Sequence, residues 1–165
     1  MSKKTIDPYR VLIGNKGHMK IDGIEIAELK NLKIKITPEM KEISLLDSVT
    51  KGKIMTNVSG KITFEFNKIY SRFKPAVLEC YKYLQPFSFT LEATVYTPDK
   101  SGEETIYIGN CWLDGDIDIF ELNADADFLT EKFDAEFQIE SADFTDVIDD
   151  KHEWETKSYK TVSNN

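Results

Sequence analysis

The chain has 165 residues, 41% apolar and 12% aromatic, enough for one domain whose core needs neither a metal nor a disulfide to hold it. Its formal net charge of −8 sets it apart from general nucleic-acid binders, which draw affinity from Lys and Arg on phosphates. Cys80 and Cys111 are far apart and form no CxxC spacing, the N-terminus carries no apolar signal segment, and no apolar run approaches the length of a membrane span. These features predict a soluble protein made in a reducing cytoplasm, with no stable membrane association.

In chain order, the first signal is a hairpin. His18-Met19-Lys20-Ile21 runs into Asp22-Gly23 and out through Ile24 to Leu29, and an Asp-Gly pair accepts the positive φ angles of a tight turn cheaply. Leu32, Ile34 and Ile36 then alternate with Lys33 and Lys35, but the apolar parity flips after Ile26, which predicts a bulge between 27 and 31. Residues 47–60 are polar, contain glycine and read as a long excursion rather than a strand, the kind of segment that is often functional.

Strand periodicity resumes at Ile62, Phe64 and Phe66, which alternate with Lys61, Thr63 and Glu65. From 71 to 84 it gives way to a helical stripe of Phe73, Val77, Tyr81 and Leu84, with Ser71 placed to cap it and Pro75 tolerated near its start. This one helix is expected to cover the sheet. Alternation returns at Phe87, Phe89, Leu91, Ala93 and Val95 against Ser88, Thr90, Glu92 and Thr94. It continues at Ile106 and Ile108 leading to Trp112, at Ile117 and Ile119 around Asp118, and at Phe133, Ala135, Phe137 and Ile139. Strands with one wet face, joined at Pro98-Asp99, Ser101-Gly102 and Asp114-Gly115, predict antiparallel sheet. The fold class is therefore mainly β with one α-helix, a single antiparallel-sheet domain over 1–150, followed by a polar tail over 151–165 in which Trp154 and Tyr159 are the large apolar groups.

Catalytic and metal patterns are weak. Asp114-Gly115-Asp116-Ile117-Asp118 starts like a calcium loop, but its sixth position is Ile119 where glycine is required and its twelfth is Asp125 rather than Glu; a hairpin with an acidic wet face explains it better. Gly52-Lys53 lacks the upstream glycine of a phosphate loop, Asp47 standing there, and Ile54 replaces the hydroxyl residue. His18 and His152 have no spaced partner, so His18 reads as a surface residue, and Cys80 and Cys111 read as small buried hydrophobes. No cofactor, metal site or catalytic residue is expected, and an enzyme is disfavoured.

The run from Gly17 to Lys30, the Lys51-Gly52-Lys53 excursion, Ser59-Gly60-Lys61-Ile62-Thr63-Phe64, Ser71-Arg72-Phe73, Phe87 to Leu91, Glu104 to Ile108 and the strand from Phe133 to Phe144 together resemble the tail tube proteins of contractile phage tails, PBSX-type defective prophages and R-type bacteriocins. The resemblance covers roughly 14–150. It implies an antiparallel β-sandwich or barrel-like subunit with one flanking helix that closes into hexameric rings, with the rings stacked into a hollow tube inside a contractile sheath. A tube subunit needs one interface that closes by rotation and one that repeats along an axis. The resemblance makes unpaired strand edges the lateral contact and the 47–60 segment the axial one, with Asp47, Ser48, Thr50, Lys51, Gly52, Lys53, Met55 and Asn57 its candidate residues. Lys51 and Lys53 are expected to meet acids such as Asp114, Asp116 and Asp118. A bore that carries DNA must not bind phosphate, which makes Thr63, Glu65, Thr90, Glu92 and Thr94 the lumen-facing candidates, though Lys33 and Lys35 spoil a uniformly acidic lining. The implied partners are further copies of the chain, a sheath protein, a baseplate and a tape-measure protein, with DNA only as passing cargo. The implied location is the bacterial cytoplasm during assembly and then the virion or bacteriocin tail. The alternatives are a monomeric β-sandwich binding module, a baseplate adaptor and, third, a hydrolase.

Overall fold

A computed structural model describes residues 8, 11–12, 14, 16–98 and 102–148. The polar tail over 151–165, with Trp154 and Tyr159, lies outside these residues. The elements run β1 (Gly17–Ile21), β2 (Ile24–Glu25), β3 (Leu29–Ile43), β4 (Gly52–Asn67), α1 (Lys74–Lys82), β5 (Ser88–Tyr96), β6 (Glu103–Asp114), β7 (Thr130–Phe137) and β8 (Ala142–Asp146). All described pairings are antiparallel, in the order β2-β1-β5-β6-β7-β4-β3, with β8 also on β6.

One edge of β6 is shared: Thr105–Ile108 pair with β8 and Cys111–Asp114 with β7. The chain leaves β7, makes a 3-10 turn at Ile139–Ser141 and comes back as β8, so the sheet splits at β6 and curls. Phe64 of β4 and Phe89 of β5 lie three strands apart, about 14 Å in a flat sheet, yet their ring centroids are 6.4 Å apart. The sheet does not close into a barrel; it folds over on itself as an open sandwich. The apolar residues of the alternating runs meet inside. Phe64 and Phe66 stack on Phe133 at 5.3 and 5.4 Å, and Phe73 joins from the start of the helix, 5.0 Å from Phe133. Burying such rings stabilises the domain by roughly 2 to 3 kcal/mol each in transfer free energy.

The first turn is as expected, with Asp22 at φ 51° and Gly23 at φ 80°. Asp22 also fastens it to the sheet, its carboxylate accepting from Thr90 N at 2.8 Å and from Thr90 Oγ1 at 3.2 Å. The expected bulge lies between Leu29 and Asn31.

Four expectations need correction. The 47–60 segment is not a loop: only 44–51 turns, and from Gly52 onward it is strand, its period hidden by a register shift opposite Glu39 and Met40 that sets Met55 against Met40. The run around Ile117 and Ile119 is not strand or hairpin, because Gly115 at φ 76° ends β6 and 115–129 is irregular. The helix begins at Lys74 with Phe73 at its N-cap position and no side-chain cap bond, so Ser71 does not cap it; Arg72 at φ 52° intervenes and Pro75 fixes the first turn. Leu84 takes φ 56° beyond the C-cap, so it is exposed instead of completing the buried stripe, and Val77 is the stripe's fully buried member.

Candidate assembly surfaces

The β3–β4 hairpin outgrows the sandwich. β4 meets β7 only from Gly60 to Asn67, so among the described residues Gly52–Ser59 pair with β3 alone. At about 3.3 Å per residue this two-stranded arm extends roughly 25 Å past the body. An isolated two-stranded ribbon is marginal in water. One arm face continues the core face: Ile36, Pro38 and Met40 follow Ile34 at strand spacing, with Met55 across from Met40, and Ile36, Met40 and Met55 are exposed. At the tip Leu45 and Val49 are exposed and Leu46 is 97% exposed.

The sequence-chosen arm residues mostly shape this tip. Asp47 takes φ 62°, and Ser48 Oγ donates to Thr50 O at 3.0 Å while accepting from Thr50 N. Lys51 lies 3.9 Å from Glu42 of the same arm, and Gly52 and Lys53 register with Ile43 and Glu42. Asn57 stands opposite Glu39, its side chain accepting from Val58 N. Leu45, Leu46 and Val49 did not emerge from sequence; an apolar pair inside a polar turn was the available signal.

The curl separates the lumen candidates. Thr63 and Glu65 lie on the outer flank of β3-β4-β7, among Lys33, Lys35, Lys61 and Asp134, where Thr63 Oγ1 donates to Asp134 at 3.1 Å. Glu92 lies on the outer flank of β1-β5-β6, across from Lys20 and Tyr107. Thr90 is tied to Asp22, and Thr94 is buried with its hydroxyl 3.0 Å from that of Thr105. Thr94 therefore presents almost nothing to solvent.

Two ionic clusters pin the body at the end of β3 and β4 away from the arm. Arg72 grips both carboxylate oxygens of buried Glu28, and this hydrogen bonding holds the Glu28 carboxyl below its ordinary range against the opposing effect of burial. Lys68 and Lys74 both reach Glu131 Oε1, and the Lys68 ammonium is held above its usual range chiefly by that bond. Glu131 Oε2 is the one buried side-chain oxygen or nitrogen among the described residues with no partner. His18, expected on the surface, is half-buried with Nδ1 3.1 Å from the Tyr96 hydroxyl. Cys111 is buried, which pushes its thiol up to about 12, whereas Cys80, also expected inside, is only half-buried.

Among the described residues no group of three or more His, Cys, Asp or Glu could hold a metal, and none of their helices is long and apolar enough to cross a membrane. Curled sheet, long free edge and projecting apolar arm make this an assembly subunit, built to be completed by protein contacts. The chain belongs to the phage tail tube protein family, whose model matches residues 4–146. Its curated relative YqbM of Bacillus subtilis (strain 168), an uncharacterized protein, is 24% identical over 135 residues, spanning 78% of this chain and 92% of that one.

Among solved structures the fold is similar to a chain of the PVC sheath-tube complex, an extracellular contractile injection system in the extended state, with TM-score 0.60, 10% identity, and 83% and 93% of the two chains covered. It is also similar to the tube-terminating cap of the anti-feeding prophage, with TM-score 0.59, 8% identity, and 89% and 95% covered. A chain of the native gene transfer agent virion gives TM-score 0.56, 13% identity, and 82% and 99% covered. At these identities the likeness is one of fold.

Proposed function

We propose that the protein closes into six-membered rings that stack as the hollow inner tube of a contractile tail, with no catalytic activity of its own. The observation that carries this reading is the arm, a ribbon with an apolar face that leaves the body and is covered by none of the described residues of its own protomer. In the tube it crosses to the adjoining ring. The outer edge of β3 supplies the lateral contact, since among the described residues β3 pairs with β4 alone and ends the sheet order.

A ring closed through β3 turns the β3-β4-β7 flank to the bore. Thr63 and Glu65 then line it, and Lys33, Lys35, Lys61 and Lys132 are offset all but one by Glu65, Asp134 and Glu136, which leaves no strongly basic wall to hold phosphate. Glu92 and Thr90 face away, toward a sheath. Baseplate and tape-measure proteins are the further partners of such a tube, DNA is passing cargo where a capsid is present, and assembly takes place in the bacterial cytoplasm before the particle is released.

Sedimentation velocity across a concentration series tests this. The full chain is expected to pass from protomer to rings and large polymers, with thin hollow cylinders visible by negative stain. A single slow species at every concentration, with no cylinders, contradicts it.

A further inference from the structure

Beside the root of the arm the sandwich stays open. A groove of about 570 Å³ lies between β3 on one side and β5, β6 and β8 on the other, its apolar lining formed by Leu32, Ile34, Ile36, Val95, Ile106 and Phe144. Open apolar surface of this kind in a folded domain marks a contact site. The charges that border it are Lys35, Glu104 and Asp143, and Glu104 stands opposite Val95, on the groove face of its strand.

Resting on the reading that the arm joins rings, we infer that this groove receives the arm tip of a second copy of the chain, Leu45, Leu46 and Val49 filling it. Three features select this occupant. The tip's apolar side chains are exposed in the protomer and match the lining. The tip carries one base, Lys51, and one acid, Asp47, for Glu104 and Lys35 at the rim. Seven residues of strand and the start of a turn separate Ile36 from Leu46, more than about 20 Å, so the tip cannot fold back into its own groove, and repetition of tip into groove generates an open-ended stack. Lys51 thus meets Glu104 rather than the acids at 114–118.

Cysteine pairing tests the assignment. Full-length chain carrying Leu46→Cys and Phe144→Cys is polymerised and oxidised, then resolved without reductant; Leu46→Cys with Tyr83→Cys, at the exposed end of the helix, serves as the comparison. A ladder of linked chains from the first pair and none from the second is expected. Tubes that form normally while the first pair gives no ladder overturn the groove assignment and leave the tube reading intact. Material that never polymerises, with wild type behaving alike, overturns both. A groove filled by the chain's own C-terminal segment gives an intramolecular Trp154→Cys to Phe144→Cys link without a ladder, and that result also overturns the assignment. As an independent arm, Lys51→Glu and Glu104→Lys each weaken polymerisation while the double exchange restores it; no restoration counts against the pairing.

Discussion

Arg72 places its guanidinium fork across both carboxylate oxygens of Glu28, joining the connector before the helix to the turn between the first hairpin and β3. Both side chains are largely out of solvent, with 18% and 2% exposure. Arg72→Ala strands the Glu28 charge and is expected to cost about 3 kcal/mol, measurable by urea unfolding of the protomer. Because the Glu28 carboxyl is held below its ordinary value of 4.5 in the fold, its contribution is complete above that pH and is lost as pH falls through the lower folded value. The gap between wild type and Arg72→Ala is therefore expected to be full at neutral pH and to close in acid. A gap that is constant with pH contradicts the assignment.

Gly60 tests the junction where arm meets body. A Cβ built there lies 2.4 Å from the tip of the Phe137 ring, which is packed in the core. Gly60→Val is expected to destabilise the protomer by about 1 to 3 kcal/mol through overpacking. Thermal unfolding checks it, and an unchanged midpoint means the ring has room to move.

Replacing 44–51 by a two-residue Asn-Gly turn removes the tip without touching the core. Protomer stability is expected to hold within about 0.5 kcal/mol, as for surface changes, while ring stacking is lost in sedimentation and microscopy. Normal cylinders from the shortened chain place the axial contact elsewhere.

The two flanks are separable by labelling assembled tubes. Cys111 stays unreactive while folded, since its thiol is buried and pushed up to about 12. A cysteine at Glu65 is expected to react with a small maleimide but hardly with a polymer-bearing one, because the bore excludes it. A cysteine at Glu92 is expected to react with both. The reverse pattern turns the ring inside out.

Much of the fold was legible because its signals are local. Phe64 alternates with Glu65, Leu91 with Glu92, and Asp22-Gly23 specifies its own turn, so strand identity and inward face follow from adjacent residues. The arm was located but misread. Lys51 to Asn57 look polar because a ribbon outside the body has no buried face to impose an alternation, and the register shift opposite Glu39 and Met40 disrupts what remains. The Glu28–Arg72 and Glu131–Lys68 pairs span 44 and 63 residues, and no spacing rule reaches that far. The division of Thr63 and Glu65 from Glu92 depends on the curl about β6, which arises because β7 and β8 share one strand edge. That is a property of the whole chain path.

Cryo-electron microscopy of polymer grown from the purified full-length chain addresses the central claim most directly. The account predicts a hollow cylinder of stacked six-fold rings in which each β3–β4 arm leaves its own ring and enters the next. Solid filaments, or rings whose arms lie folded against their own protomers, would contradict it.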